Sequence, residues 1–313
     1  MFIRSFFAAT ITTLIVAYLI PQSEYMRWRL FDAEYGMWKA KTKLVEDATS
    51  KYTNVVLGDS RILAGYNPSL NDSESTVNLA LGGGTPIEAF FILNRLISSN
   101  SNVSRILISF SPTHLENADM FLHRTIVFKF LKNHEVDDVL ENEKNENLFK
   151  IDKNEYIYCK FELPMCYKPY YKYLLRLGTI EKNKEMYRDT YGSKGWHLFG
   201  VNSPNAMPGE VARRRFTPDP IIDKYFTRLI SLARSRNIEI YFYATPLAIK
   251  AYTAISKTYR SDFFDYIRSK SSDILVIDGG VVPITYIGDG SHVNHQGSVF
   301  TTKYINTNIF GLN

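Results

Sequence analysis

Beyond Ser50 the chain alternates short, continuous apolar runs with longer segments whose apolar residues recur every three or four positions. The runs Asn54 to Leu57, Val77 to Ala80, Arg105 to Phe110 ("RILISF"), Glu239 to Ala244 ("EIYFYA") and Ile274 to Asp278 ("ILVID") have the uniform apolarity of strands covered on both faces. Between them, Pro86 to Ser98, Asp219 to Arg236 and Ala248 to Lys270 carry the amphipathic period of helices. Strand and helix in alternation predict an open three-layer α/β sandwich around a central parallel sheet. Chemistry in such sheets gathers at the carboxyl ends of the strands. From about 115 to 216 the rhythm lapses into an acidic, amide-rich run ("HEVDDVLENEKNENLFKIDKNE"), a Tyr-rich run and a tail punctuated by Gly and Pro. This stretch reads as an insertion, a cap over the strand ends, with the acidic run as a solvated helix or loop.

The amino-terminal pattern differs. Ser5 to Ile20 ("SFFAATITTLIVAYLI") holds no charge, and with Phe2 and Ile3 it approaches the roughly 20 residues that a bilayer-spanning helix needs. A cleaved signal would place small residues next, whereas "AYLIPQSEY" places Leu19 and Ile20 there. The expectation is a transmembrane anchor over 1–21, with a buried core helix and a cleaved signal as alternatives. Arg4 on one side and Arg27, Arg29, Lys39, Lys41 and Lys43 on the other leave its orientation open. Over 22–50, Tyr25, Trp28, Phe31, Tyr35 and Trp38 fall on one helical face, which predicts an amphipathic helix lying on its own domain or at a lipid interface. Residues 51–313 form the domain proper.

Composition narrows the classes. In 313 residues, 45% hydrophobic and 14% aromatic content is enough for a sizeable core. A net charge of +5 without a basic stripe is no nucleic-acid footprint. Cys159 and Cys166 are the only cysteines, and spacing leaves a disulfide between them open. Two cysteines without clustered histidines argue against a zinc site, and no metal or cofactor is expected.

Candidate chemistry starts where the first strand breaks, at "VVLGDSRILAGYNP". A serine hydroxyl becomes a nucleophile only with a base in reach and donors for the developing oxyanion. Near the far end, "YIGDGSHVNHQGS" sets Asp289 three positions before His292, a spacing at which the carboxylate can orient the imidazole toward Ser60. Gly82, Gly83 and Gly84 in "NLALGGGTP" follow the second strand, where bare backbone can offer N–H groups.

"GDS" after the first strand and "DGSHVN" near the end resemble the first and last sequence blocks of the SGNH/GDSL hydrolase superfamily. That resemblance implies a flavodoxin-like sandwich with Ser60 as nucleophile, His292 as base and Asp289 as its orienting acid. It implies oxyanion or substrate contacts from Gly82, Gly83 and Gly84. Arg61 stands where the family has Leu and reads as a contact to an anionic donor or polymer or as a structural ion pair. The third block departs from the family: "SFSPTHL" lacks the usual Asn donor, leaving Ser111, His114 or backbone N–H groups for the oxyanion. "GDSR" and the apolar amino terminus look like membrane-anchored SGNH-like proteins of bacterial envelopes that work beside membrane-bound O-acyltransferases. On that likeness the chain would be held by one span in the inner (cytoplasmic) membrane, its catalytic domain in the periplasm or cell exterior. Its partners would be a membrane-bound O-acyltransferase, membrane lipid and a polysaccharide or other glycan acceptor, with no nucleic acid. The implied activity is O-acetylation of that polysaccharide. An SGNH esterase or deacetylase, and a non-catalytic SGNH-fold binding partner, are the other classes.

Overall fold

The computed structural model describes residues 2–19, 23–32, 34–47, 51–70, 75–100, 102–118, 120–143, 153–176, 178–199 and 203–312. Its strands in chain order are β1 (Asn54–Gly58), β2 (Thr76–Asn78), β3 (Arg105–Ser109), β4 (Glu239–Ala244), β5 (Leu247–Ala248), β6 (Leu275–Asp278) and β7 (Val281–Val282). Five of them form one parallel sheet in the order β2-β1-β3-β4-β6, and β5 and β7 pair in a second, two-stranded sheet. Leaving β5 aside, this is the 2-1-3-4-5 order of a flavodoxin-like doubly wound sheet, whose switch point lies between β1 and β3. Val55, Val56, Leu57, Ile106, Leu107 and Ile108 are fully buried in the central strands, as the unbroken apolar runs require.

Helices cover both faces. Thr85 caps the helix Pro86–Ser99 in a capping box with Glu88, and the Asp219 carboxylate caps Pro220–Ser235 through the Ile221 and Ile222 N–H groups. The single helix expected over Ala248 to Lys270 is two, Ile249–Ala254 and Lys257–Lys270, because Ile255 and Ser256 take extended conformations between them.

The anchor expectation is corrected. A helix does form at Phe2–Leu19, but among the described residues no helix is long and apolar enough to cross a membrane. Eighteen residues at about 1.5 Å each span roughly 27 Å, short of the hydrocarbon core, and three threonines interrupt the apolar run. The transmembrane segment at 1–21 falls, and with it the single-pass placement in the inner membrane and the periplasmic or external orientation it carried. Met1, Ile20 and Pro21 lie outside the described residues.

The amphipathic segment at 22–50 is likewise two helices, Glu24–Leu30 and Glu34–Glu46. Asp32 restarts the chain by accepting the Glu34 N–H on its side chain and the Tyr35 N–H on its carbonyl. The aromatic face turns inward: Phe31 meets Tyr170 at 5.2 Å and Trp38 meets Phe130 at 4.9 Å between ring centroids, both partners coming from the insertion. Tyr25 alone of that row is largely exposed. Asn183, on the insertion helix Thr179–Gly192, accepts the Gly36 N–H and donates to the Trp28 and Phe31 carbonyls. Beside it the Lys41 amine is fully buried without a carboxylate, held by the Asn78 and Gly195 carbonyls, and burial drives its pKa far down.

Within the insertion the acidic run contributes the helix Asn133–Glu143, and residues 144–152 of it lie outside the described set. A disulfide joins Cys159 to Cys166 across seven positions, closing the helix Lys153–Lys160 onto the following turn. A loop that short restricts the unfolded chain by about 2 kcal/mol. Replacing both cysteines by serine is therefore expected to lower unfolding stability by roughly that amount, read from urea midpoints of the oxidised parent and the double variant.

Candidate active site

The site begins with a close strand contact. The Asp59 N–H reaches the Ser109 carbonyl at 3.1 Å, so β1 and β3 approach tightly at their carboxyl ends. A Cβ at position 58 would stand 2.0 Å from that carbonyl, which restricts the position to glycine. Asp59 then caps the short helix Ser60–Gly65, its Oδ1 accepting the Arg61 N–H at 2.9 Å. Its other oxygen accepts the Ser111 N–H at 2.6 Å and the His114 Nδ1–H at 2.8 Å. One fully buried carboxylate thus ties the Ser60 turn to the loop after β3. Burial pushes the Asp59 carboxyl up, but the His114 ring, Arg61 and the Ser111 N–H together outweigh it and hold its pKa well below the usual range.

On this turn Ser60 faces the carboxy-terminal loop, and its Oγ lies 2.7 Å from His292 Nε2. His292 Nδ1 lies 2.8 Å from Asp289 Oδ2. Since the carboxylate can only accept, Nδ1 carries the proton and Nε2 is left to receive the Ser60 O–H. Asp289 is itself fixed, its Oδ1 accepting the Ser291 and His292 N–H groups at 2.7 and 2.8 Å. Burial lifts the Asp289 carboxyl, and these hydrogen bonds overcome it and keep the group ionised to lower pH than usual. Asn294 caps the helix His295–Ile305 through the Gly297 N–H and so anchors the loop from behind.

The remaining expected residues divide. Leu81 N–H bonds the Gly58 carbonyl at 3.0 Å, which places the glycine run beside the nucleophile turn. The Gly84 N–H is already given to the Leu81 carbonyl, whereas among the described residues no acceptor takes the Ser60, Gly82 or Gly83 N–H. Arg61 does not face the serine: its guanidinium is buried and paired with Glu210 at 2.6 Å, with Glu210 only 1% exposed. It lines a cavity with Phe110, Ser111 and Tyr259. Among the described residues no cluster of His, Cys, Asp and Glu could hold a metal ion.

The sequence pattern gave no sign of several neighbours. Phe199, near the end of the insertion, lies 4.5 Å from the His292 ring at 33°. Trp196 donates its indole N–H to the Ala64 carbonyl at the end of the nucleophile helix. Glu210 belongs to the same stretch, so the tail of the insertion covers the helix Ser60–Gly65 and His292. His114, named above as a candidate oxyanion donor, instead gives its Nδ1–H to Asp59, a second imidazole–carboxylate pair in the loop after β3.

No protein-family model matches the chain, and no curated protein matches it. Among solved structures, one described as "a putative platelet activating factor from Streptococcus pneumonia" is similar over 90% of this chain and 94% of its own, at 12% identity and a TM-score of 0.42. That likeness is too distant to assign a family.

Asp59 yields a pH-dependent prediction. Its folded pKa lies below the unfolded value of 3.8, so its stabilisation is complete above about pH 5 and is lost as the pH falls through the folded value. Asp59→Asn is expected to cost about 3 kcal/mol at pH 7. The gap between variant and parent should narrow below pH 4, measured as urea midpoints across pH 7 to 2.

Proposed function

We propose that the chain is an SGNH-type acyl-serine enzyme that takes an acyl group from an ester and passes it to an oxygen acceptor. The observation that carries this reading is the unbroken line of hydrogen bonds Ser60–His292–Asp289 at the carboxyl end of β1. As Ser60 Oγ attacks the ester carbonyl, its proton moves to His292 Nε2, and Asp289 stabilises the imidazolium. The tetrahedral oxyanion sits against the unpartnered N–H groups of Ser60 and the glycine turn. Collapse breaks the ester C–O bond, His292 returns the proton to the departing alkoxide, and an acyl-serine remains. An acceptor O–H then loses its proton to His292 and attacks the acyl carbon; the bond to Ser60 Oγ breaks and His292 gives the proton back to Ser60.

Acceptor identity separates the two forms of this reading. Ser60 is half-buried and the His292 side chain 17% exposed, so water can reach the acyl-serine, and a carboxylic ester hydrolase is the leading form. Transfer to a glycan hydroxyl is favoured by a specific feature: Phe199 stands over His292 as a ring on which a sugar can stack. The membrane anchor that would have held the chain beside a membrane-bound acyltransferase is gone, and nothing else supports that partner.

Intact-mass analysis after exposure to p-nitrophenyl acetate tests the proposal. The native chain is expected to gain one acetyl group on Ser60, and Ser60→Ala none. His292→Ala should slow acylation by about 10³-fold or more. Absence of both an adduct and Ser60-dependent release of p-nitrophenol by the native, folded chain would refute the reading. For the acceptor, adding a soluble oligosaccharide should yield acetylated sugar that declines in Phe199→Ala while release to water persists. Release to water alone in both proteins assigns the hydrolase.

A further inference from the structure

The glycine turn after β2 is gripped from outside the sheet. The Leu81 carbonyl accepts the Gly84 N–H at 3.1 Å, which closes a four-residue turn. Gly83 takes φ +69°, and Gly82 is not among the glycines of positive φ. A positive φ at the third position alone marks a type II turn, which differs from type I by a half-rotation of its central peptide, here Gly82–Gly83. A Gly-Gly pair is at ease in either form, so the local sequence does not choose between them.

Arg124, from the insertion, makes the choice. Its Nη1 donates to the Gly82 carbonyl at 2.9 Å, and its Nη2 to Glu34 Oε1 at 2.6 Å. The peptide is planar and trans, so fixing the Gly82 C=O on Arg124 turns the Gly83 N–H to the opposite side. Rotation of that peptide would leave a largely buried guanidinium without its carbonyl, a costly loss. Glu34 holds the other side of the clamp: its Oε2 stands 2.6 Å from where a Cβ at position 82 would be, and Met37 Cε 3.1 Å from the same point. A side chain at this position would have to displace the ends of Glu34 and Met37. The glycine's backbone freedom is large, and an external brace is what makes it a fixed donor. Asp32 and Arg124 are the charged groups that act on the Glu34 carboxylate, and Arg176 and Lys182 line the groove it shares.

We infer that Arg124, braced by Glu34, is a positioning residue that locks the Gly82–Gly83 peptide in one of its two orientations and so sets which backbone N–H faces the acyl oxygen at Ser60. The inference rests on the acyl-serine reading of Ser60 and names the residues that shape its oxyanion pocket.

The test uses the full chain labelled with ¹⁵N-glycine and backbone-assigned, as native protein, Arg124→Met and Arg124→Lys. In Arg124→Met the Gly83 amide signal is expected to double or broaden while those of Gly58 and Gly297 stay in place. Acylation of Ser60 by p-nitrophenyl acetate should fall about 10²-fold in kcat, the size of one lost oxyanion donor, with KM little changed. Arg124→Lys, which keeps a donor for the Gly82 carbonyl, should recover part of that loss. A single, unshifted Gly83 signal in Arg124→Met would refute the lock whether or not the protein acylates. A doubled signal with undiminished acylation would show that the turn does not serve the acyl oxygen, which also overturns the inference. Failure of the native protein to acylate would instead bring down the acyl-serine reading, with the amide signals still deciding the lock. Should Arg124→Met not fold, Glu34→Gln, which weakens the brace, is read on the same amide and is expected to broaden it.

Discussion

The Asp59 carboxylate is the fixed point of this molecule. It is buried, it carries a negative charge, and every donor it needs comes from a different part of the chain: the Arg61 N–H on its own turn, the Ser111 N–H after β3, and the His114 ring one helical turn further. A buried carboxylate without such partners would be intolerably costly, so the two loops must close on it together. Once they do, Ser60 is the first residue of a helix whose direction is set, and its hydroxyl can only lie over the strand ends. Asp59 thus defines where Ser60 stands.

Much of the sheet was legible in the sequence because buried parallel strands cannot alternate. With helices on both faces, "NVVLG", "RILIS" and "EIYFYA" had to be apolar almost throughout, and they appear within a residue or two of their expected limits. Breaks within helices were harder to read. Neither the Ile255–Ser256 interruption nor the one at Phe31–Asp32 contains Gly or Pro. Asp32 ends one helix and starts the next by hydrogen bonds that composition does not reveal. The amino-terminal helix shows the opposite failure: a charge-free run was read as a membrane span on its apolarity, although its length and its threonines fall short of one.

The site divides along the same line. Ser60, Asp289 and His292 sit in short motifs whose spacing states the chemistry. For Arg61 the sequence left a substrate contact and a structural ion pair open, and the buried pair with Glu210 is the second of these. Glu34, Arg124, Phe199 and Glu210 could not be found from local pattern, since each gains its role by meeting a distant segment. They come from the amino-terminal helices and the insertion, the two parts of the chain that the strand–helix rhythm does not cover. These two parts pack on each other through Asn183 and the aromatic row at Phe31, Tyr35 and Trp38, so the surroundings of the nucleophile are assembled outside the sheet that carries it.

The separation of Ser60 from His292 by 232 positions also has a bearing on how the protein is made. Synthesis runs from the amino terminus, and all strands of the main sheet precede the Asp289–His292 loop. Every strand of the sheet is therefore made before His292 can stand beside Ser60. The Ser60–His292 contact forms only when the helix His295–Ile305 docks, with Thr302 on the Asn67 N–H and Asn306 on the Tyr66 hydroxyl. That contact is in this sense a report that the end of the chain has reached its place.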